Sequence, residues 1–140
     1  MGRTIYFNQF RNEDLAGMLK PIIYCNKKTC NFKSTYPLNH QLAEILINYD
    51  HAQRTYNIEK CILQCISSLP DNPIIEKFDV LFNPYYKIDV LQTLVNVCKI
   101  KPFSLIWPGI YQKGKLYYAE EGCEDYKVYD TNNYDITCII

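Results

Sequence analysis

The sequence predicts an α/β domain spanning residues 1–140, with a mostly parallel sheet, flanking helices and a C-terminal β-hairpin. Three observations point there. Ile22–Cys25, Ile74–Ile75 and Phe103–Trp107 are short apolar runs with the length and composition of buried strands. Amphipathic stretches separate them, above all the one from Asp89 to Ile100, where Val90, Leu91, Leu94, Val95 and Cys98 share a face. Strands that alternate with helices are joined by crossovers, which gives parallel pairing with helices over the sheet and a right-handed path between its strands.

In chain order, Thr4 to Phe7 reads as an opening strand, and Asn12 as the cap of a short helix reaching Leu19. Pro21 leads into the first buried strand. Asn26 to Pro37 is polar and lysine-bearing, which predicts a loop or hairpin. Asn39 is placed to cap a helix carrying Leu42, Ile45, Leu46 and Tyr49 at helical spacing. Asn57 is placed to cap another, with Ile58, Cys61, Ile62, Cys65, Ile66 and Leu69 inward, and Pro70-Asp71-Asn72-Pro73 stops it. Ile74–Ile75 ends at Glu76 and is followed by an irregular apolar connection from Phe78 to Pro84. Asp89 starts the next helix, and Lys99 and Lys101 lie near its end, where cations suit the helix dipole. Pro108-Gly109 stops the strand at Phe103–Trp107. Ile110–Gln112 and Lys115–Tyr118 flank Lys113-Gly114 as a β-hairpin. Tyr126–Asp130 and Tyr134–Ile140 flank Asn132-Asn133 as a further hairpin.

The balance of 48% hydrophobic and 21% charged residues is globular and excludes a disordered tail. Fifteen Lys and Arg offset fifteen Asp and Glu, so the global basic field of an autonomous nucleic-acid-binding domain is missing. Only local patches such as Lys27, Lys28 and Lys33 remain for DNA. No apolar run approaches the ~18 residues of a membrane span, and the start lacks a secretory apolar region, so a cytoplasmic protein without a membrane partner is expected. The seven cysteines are odd in number and form no Cys-x-x-Cys pair, while His40 and His51 lack a partner at metal-ligand spacing. They read as reduced thiols acting as small hydrophobes, with neither metal nor cofactor expected. A homo-oligomer stays open.

In sheets of this kind the working groups gather at the carboxyl ends of strands, here Cys25-Asn26, Glu76-Lys77 and Trp107-Pro108-Gly109. Their spacing is similar to that of a P-loop NTPase core. An apolar strand ending in an acid is how a Walker B carboxylate meets magnesium, which singles out Glu76 and nearby Asp79, with Ser104 as a polar residue on the neighbouring strand. Walker A is degenerate. A phosphate cradle needs glycines to turn consecutive N–H groups inward, a lysine for the outer phosphates and a hydroxyl for magnesium. Among the five glycines (Gly2, Gly17, Gly109, Gly114 and Gly122) none follows the first strand, and Lys28-Thr29 has neither a glycine loop nor an apolar helix behind it. Glu120-Glu121 and Glu124-Asp125 read as a solvated acidic rim, and no His stands beside a Ser or Cys, so no catalytic residue is assigned.

The stretch Ile74-Ile75-Glu76-Lys77-Phe78-Asp79-Val80-Leu81-Phe82-Asn83-Pro84 resembles the small P-loop family BrxF, a component of type 3 BREX anti-phage systems of bacteria. The likeness continues through Ile106-Trp107-Pro108-Gly109, Gly114-Lys115-Leu116-Tyr117-Tyr118-Ala119-Glu120 and Glu124-Asp125-Tyr126, and more loosely upstream from Asn39 to Ile47. It covers about residues 38 to 130. The family's glycine-rich loop would fall between Cys25 and Pro37, where this chain is too short for it; Glu76 replaces an aspartate, and Asp79 and Asn83 stand where Glu and Asp are frequent. The resemblance implies a P-loop-like fold and a non-catalytic role in phage resistance, through protein–protein contacts in a BREX-type complex. The alternatives are an ATPase-like subunit completed by a partner chain, or an accessory subunit with weak or indirect DNA contact. Tyr117, Tyr118 and Glu120 are the interaction candidates, since Tyr offers rigid contact area with a polar tip. Ser104, Trp107 and Gly109 are the strand-end candidates.

Overall fold

A computed structural model describes residues 2–9, 11, 17–26 and 34–140. The strands are β1 (Arg3–Ile5), β2 (Ile22–Tyr24), β3 (Thr35–Pro37), β4 (Ile74–Glu76), β5 (Ser104–Ile106), β6 (Ile110–Gln112), β7 (Lys115–Tyr118), β8 (Lys127–Asp130) and β9 (Thr137–Ile139). The helices are α1 (Asn39–Leu46), α2 (His51–Tyr56), α3 (Ile58–Ser67) and α4 (Val90–Ile100). Six strands form one sheet in the order β1-β9-β2-β5-β4-β3, and every neighbouring pair in it is parallel. The other three form an antiparallel meander, β6-β7-β8, inserted between β5 and β9.

All residues of β2, β4 and β9 are buried, which is why they read as continuous apolar runs rather than alternating ones. Ile23, Ile75, Leu105 and Cys138 belong to the core shared with Leu42 of α1, Ile62 and Ile66 of α3 and Leu91 and Leu94 of α4. Ile22, Tyr24, Ile74, Ile106 and Ile139 form a second cluster from the alternate strand positions, with Met18 against it. The expected union of the three apolar strands holds, with α4 joining β4 to its parallel neighbour β5. No helix among the described residues is long and apolar enough to cross a membrane.

Helix ends are secured by side chains. Asp89 Oδ1 accepts from Gln92 N at 3.0 Å to cap α4, while its Oδ2 accepts from the Tyr134 hydroxyl at 2.6 Å. Lys101, just past α4, donates from Nζ to the carbonyls of Ile66 (2.8 Å) and Leu69 (3.1 Å), which ties the exit of α3 to that of α4; Ile66 O also accepts from Leu69 N at 2.9 Å.

Several sequence expectations are corrected. Thr35–Pro37 is an edge strand paired with β4, not part of a loop or hairpin; the edge position tolerates Pro37. The expected tail hairpin does not form. Tyr129 of β8 faces inward in the meander, whereas Thr137-Cys138-Ile139 is buried on both faces and fits only a central strand, between β1 and β2. The hairpin is therefore followed by two further strands rather than closing the chain. Helix α2 was not expected, because HAQRTY buries no residue; Asp50 caps it by accepting from Gln53 N at 2.9 Å, and Arg54 Nε donates to Leu46 and Tyr49 carbonyls at 2.8 Å. Asn39 is the first helical residue rather than the cap; Asn57 does stand at the N-cap position of α3, but its side chain makes no capping bond there and its amide donates to Gln53 O at 2.8 Å instead. The opening strand is Arg3–Ile5, followed by a single 3-10 turn at Phe7–Gln9. Most of the helix expected from Asn12 lies outside the described residues, as do Lys27, Lys28, Thr29 and Lys33; Gly17 is in a 3-10 turn, and Met18 and Leu19 are not helical.

Asp89→Ala removes both a cap and a charge-assisted hydrogen bond, so it should lower the unfolding free energy by about 2 kcal/mol, and Tyr134→Phe by about 1 kcal/mol. Urea unfolding of both variants checks this; equal losses would mean that the cap contributes nothing.

Candidate functional site

At the carboxyl edge of the parallel sheet, β5 turns through Trp107-Pro108-Gly109 into β6, and a hollow lies on each side of that turn. The larger, about 660 Å³, is bordered by Cys25, Asn26, Pro108, Gly109, Tyr111 and Ile140. It sits at a topological switch: β5 and β9 flank β2 on opposite sides, and the chain passes from one to the other through the meander. The smaller, about 200 Å³, is bordered by Glu76, Lys77, Asp79, Ile106, Trp107 and Pro108.

Glu76 ends β4 and is only 8% exposed. Its Oε1 lies 4.0 Å from Lys77 Nζ, and its Oε2 is shut from solvent with no hydrogen-bond partner. A buried acceptor left in this way costs about 1–3 kcal/mol, more when charged. The backbone around it is held by the start of α1: Leu38 N donates to Glu76 O at 3.0 Å, Asn39 N to Lys77 O at 2.8 Å, and Val80 N to Asn39 Oδ1 at 2.9 Å. Lys77 takes a left-handed conformation (φ 50°), which turns the chain out of the strand. Asp79 is exposed and accepts from Asn39 Nδ2 at 3.3 Å.

Tyr118 lies flat on Phe82, with ring centroids 3.6 Å apart and planes within 5°. Burial, then the charge of Asp79 and its hydrogen bond to the phenol, then the charge of Asp125, push the Tyr118 hydroxyl's ionisation above its ordinary value. Tyr118 is thus a half-buried prop for the Asp79 turn. Tyr117 is half-buried and faces the other way, in register with Ile110 of β6 and Val128 of β8. Glu120 is exposed in the turn after β7.

The strand-end candidates separate. Trp107 is core: its Nε1 donates to Tyr117 O at 2.9 Å, and its ring meets Phe82 and Tyr129 edge-on at 5.8 Å and Phe78 at 6.4 Å. Gly109 serves close approach, since a Cβ there would fall 1.8 Å from Tyr117 O. Ser104 starts β5, in register with Ile22 and Ile74 at the amino edge of the sheet, so it does not join Glu76. The structure therefore brings together Glu76, Asp79 and Trp107, with Gly109 beyond the turn, and leaves Ser104 and Glu120 outside.

The thiols are quiet. A hydrogen bond with Cys138, then burial, push the Cys25 thiol far up, and burial pushes Cys65 up to about 11. Among the described residues, no group of three or more His, Cys, Asp or Glu side chains could hold a metal. Sequence reasoning missed the outward row Ile110–Tyr117–Val128. The left-handed Lys113-Gly114 turn (φ 49° and 79°) makes the Ile110–Tyr117 pair legible, but Val128 joins it only once β8 is paired with β7. No protein-family model, curated protein or solved structure matches the chain.

With its folded-state ionisation raised above that of the unfolded chain, Tyr118 contributes stability that is intact below about pH 10 and lost as pH rises through the higher folded value. Melting temperatures measured from pH 9 upward should therefore fall less steeply in Tyr118→Phe than in the native chain. Parallel curves would refute the assignment.

Proposed function

We propose that this chain is a non-catalytic, BrxF-like component of a bacterial anti-phage complex of the BREX type, working in the cytoplasm through protein–protein contacts. The observation that carries the reading is the outward row of the meander. Ile110 (60% exposed), half-buried Tyr117 and Val128 (41% exposed) form a contiguous apolar strip across three paired strands. Its opposite face is fixed by Leu116 and Tyr129 in the core, so the strip is rigid and offers contact area without an ordering cost.

Two features support a P-loop-derived frame. β5 lies between β2 and β4, so the strand that would precede a phosphate loop and the strand ending in an acid open on one edge. Glu76 stands at that edge. The loop itself has no room: β2 ends at Tyr24 and β3 starts at Thr35, a connection shorter than the dozen or more residues that a parallel crossover usually takes. The unpaired Glu76 oxygen is what favours the second reading, an ATPase-like subunit completed by a partner chain.

Ile110→Lys with Val128→Lys changes only exposed side chains, so the variant should melt within a few degrees of the native protein. It should co-purify with the products of neighbouring genes at least tenfold less. Undiminished recovery with a folded double variant would remove the strip as the contact face. Calorimetry separates the second reading: the isolated chain should bind neither ATP nor GTP with magnesium. Tight binding abolished by Lys28→Ala or Glu76→Ala would restore the enzyme.

A further inference from the structure

We propose that the smaller hollow, at the end of β4, is a socket for an arginine side chain presented by a protein partner; the proposal rests on the protein-contact reading above. Glu76 Oε2 is one of two buried side-chain polar atoms among the described residues with no hydrogen-bond partner, and its residue borders this hollow. Asp79 adds a second carboxylate to the wall. The one cation bordering the hollow among the described residues, Lys77, stands 4.0 Å from Oε1 with its side chain 67% exposed, and leaves Oε2 unserved.

The remaining walls are apolar: Ile106, Trp107 and Pro108. Such walls favour a guanidinium over an ammonium, because the guanidinium is planar, weakly hydrated and donates along two parallel N–H bonds to a carboxylate. The size agrees. About 200 Å³ lies below the 300–1,000 Å³ usual for small-molecule sites and suits one long side chain. The socket lies on the far side of the Trp107-Pro108-Gly109 turn from the larger hollow.

Trp107 is the single tryptophan and borders the socket, so its indole N–H resonance reports occupancy. The probes are acetyl-Gly-Arg-Gly-amide, its citrulline and lysine counterparts, and magnesium chloride alone. The arginine peptide should shift the Trp107 resonance saturably, the citrulline peptide should not, and the lysine peptide should bind several-fold more weakly. Glu76→Gln, which keeps the side chain's shape, should weaken the arginine peptide at least tenfold, and Asp79→Asn several-fold. Lys77→Gln should tighten it two- to threefold, and Glu121→Gln should change it less than twofold. Equal binding of the arginine peptide to Glu76→Gln, equal binding of the citrulline peptide, or saturation by magnesium in place of the peptide would overturn the socket. The parent reading is tested separately. If folded Glu76→Gln still assembles fully while the Ile110/Val128 variant does not, the socket fails and the protein-contact reading stands. If both assemble fully, both fail.

Discussion

The hydrogen bond from Trp107 Nε1 to the carbonyl of Tyr117 joins two sheets that share no strand. Trp107 follows β5 in the parallel sheet and Tyr117 sits in the middle of the meander, so this bond and the rings of Phe78, Phe82 and Tyr129 set the angle between the layers. Gly109 lets the two backbones meet there. Both hollows border on this turn, and the direction in which Ile110, Tyr117 and Val128 face depends on it. An indole is suited to the task because it brings a large apolar body and one donor that must find a partner when buried.

A second constraint acts on the end of β4. Backbone donors from Leu38 and Asn39, together with the Asn39 side chain, take up the carbonyls and the amide around Glu76-Lys77-Val80. Backbone satisfaction here is thorough, yet the carboxylate enclosed by it is left one donor short. Polar groups in such a well-supported segment are ordinarily paired, so the deficit is local to one side chain rather than a sign of loose packing.

Much of the frame was legible in the sequence, and the parts that were not share a cause. β2, β4, β5 and α4 announce themselves by apolar runs and periodicity, because their burial is two-sided or tightly phased. α2 and β3 bury few or no apolar side chains and are held by caps and pairing partners distant in sequence, signals that local pattern does not contain. The strand pair after Tyr126 failed for a related reason: an Asn-Asn turn between β-prone runs fits a hairpin equally well, and only competition for the gap between β1 and β2 decides against it. At the site, Glu76 was legible from its place after an apolar strand. Trp107 and Gly109 were legible as positions but not as roles, since the sequence does not reveal that Tyr117 comes to rest against them.

The position of β9 bears on how the molecule assembles. Among the described residues, β1 pairs with β9 alone and β9 joins the rest of the sheet through β2, so Arg3 meets Thr137 across nearly the whole chain. Closing so large a loop is entropically slow and yields little until the final register is reached. An edge strand closed over so long a loop predicts a lower rung of stability than the centre of the sheet, which amide exchange along Arg3–Ile5 would reveal.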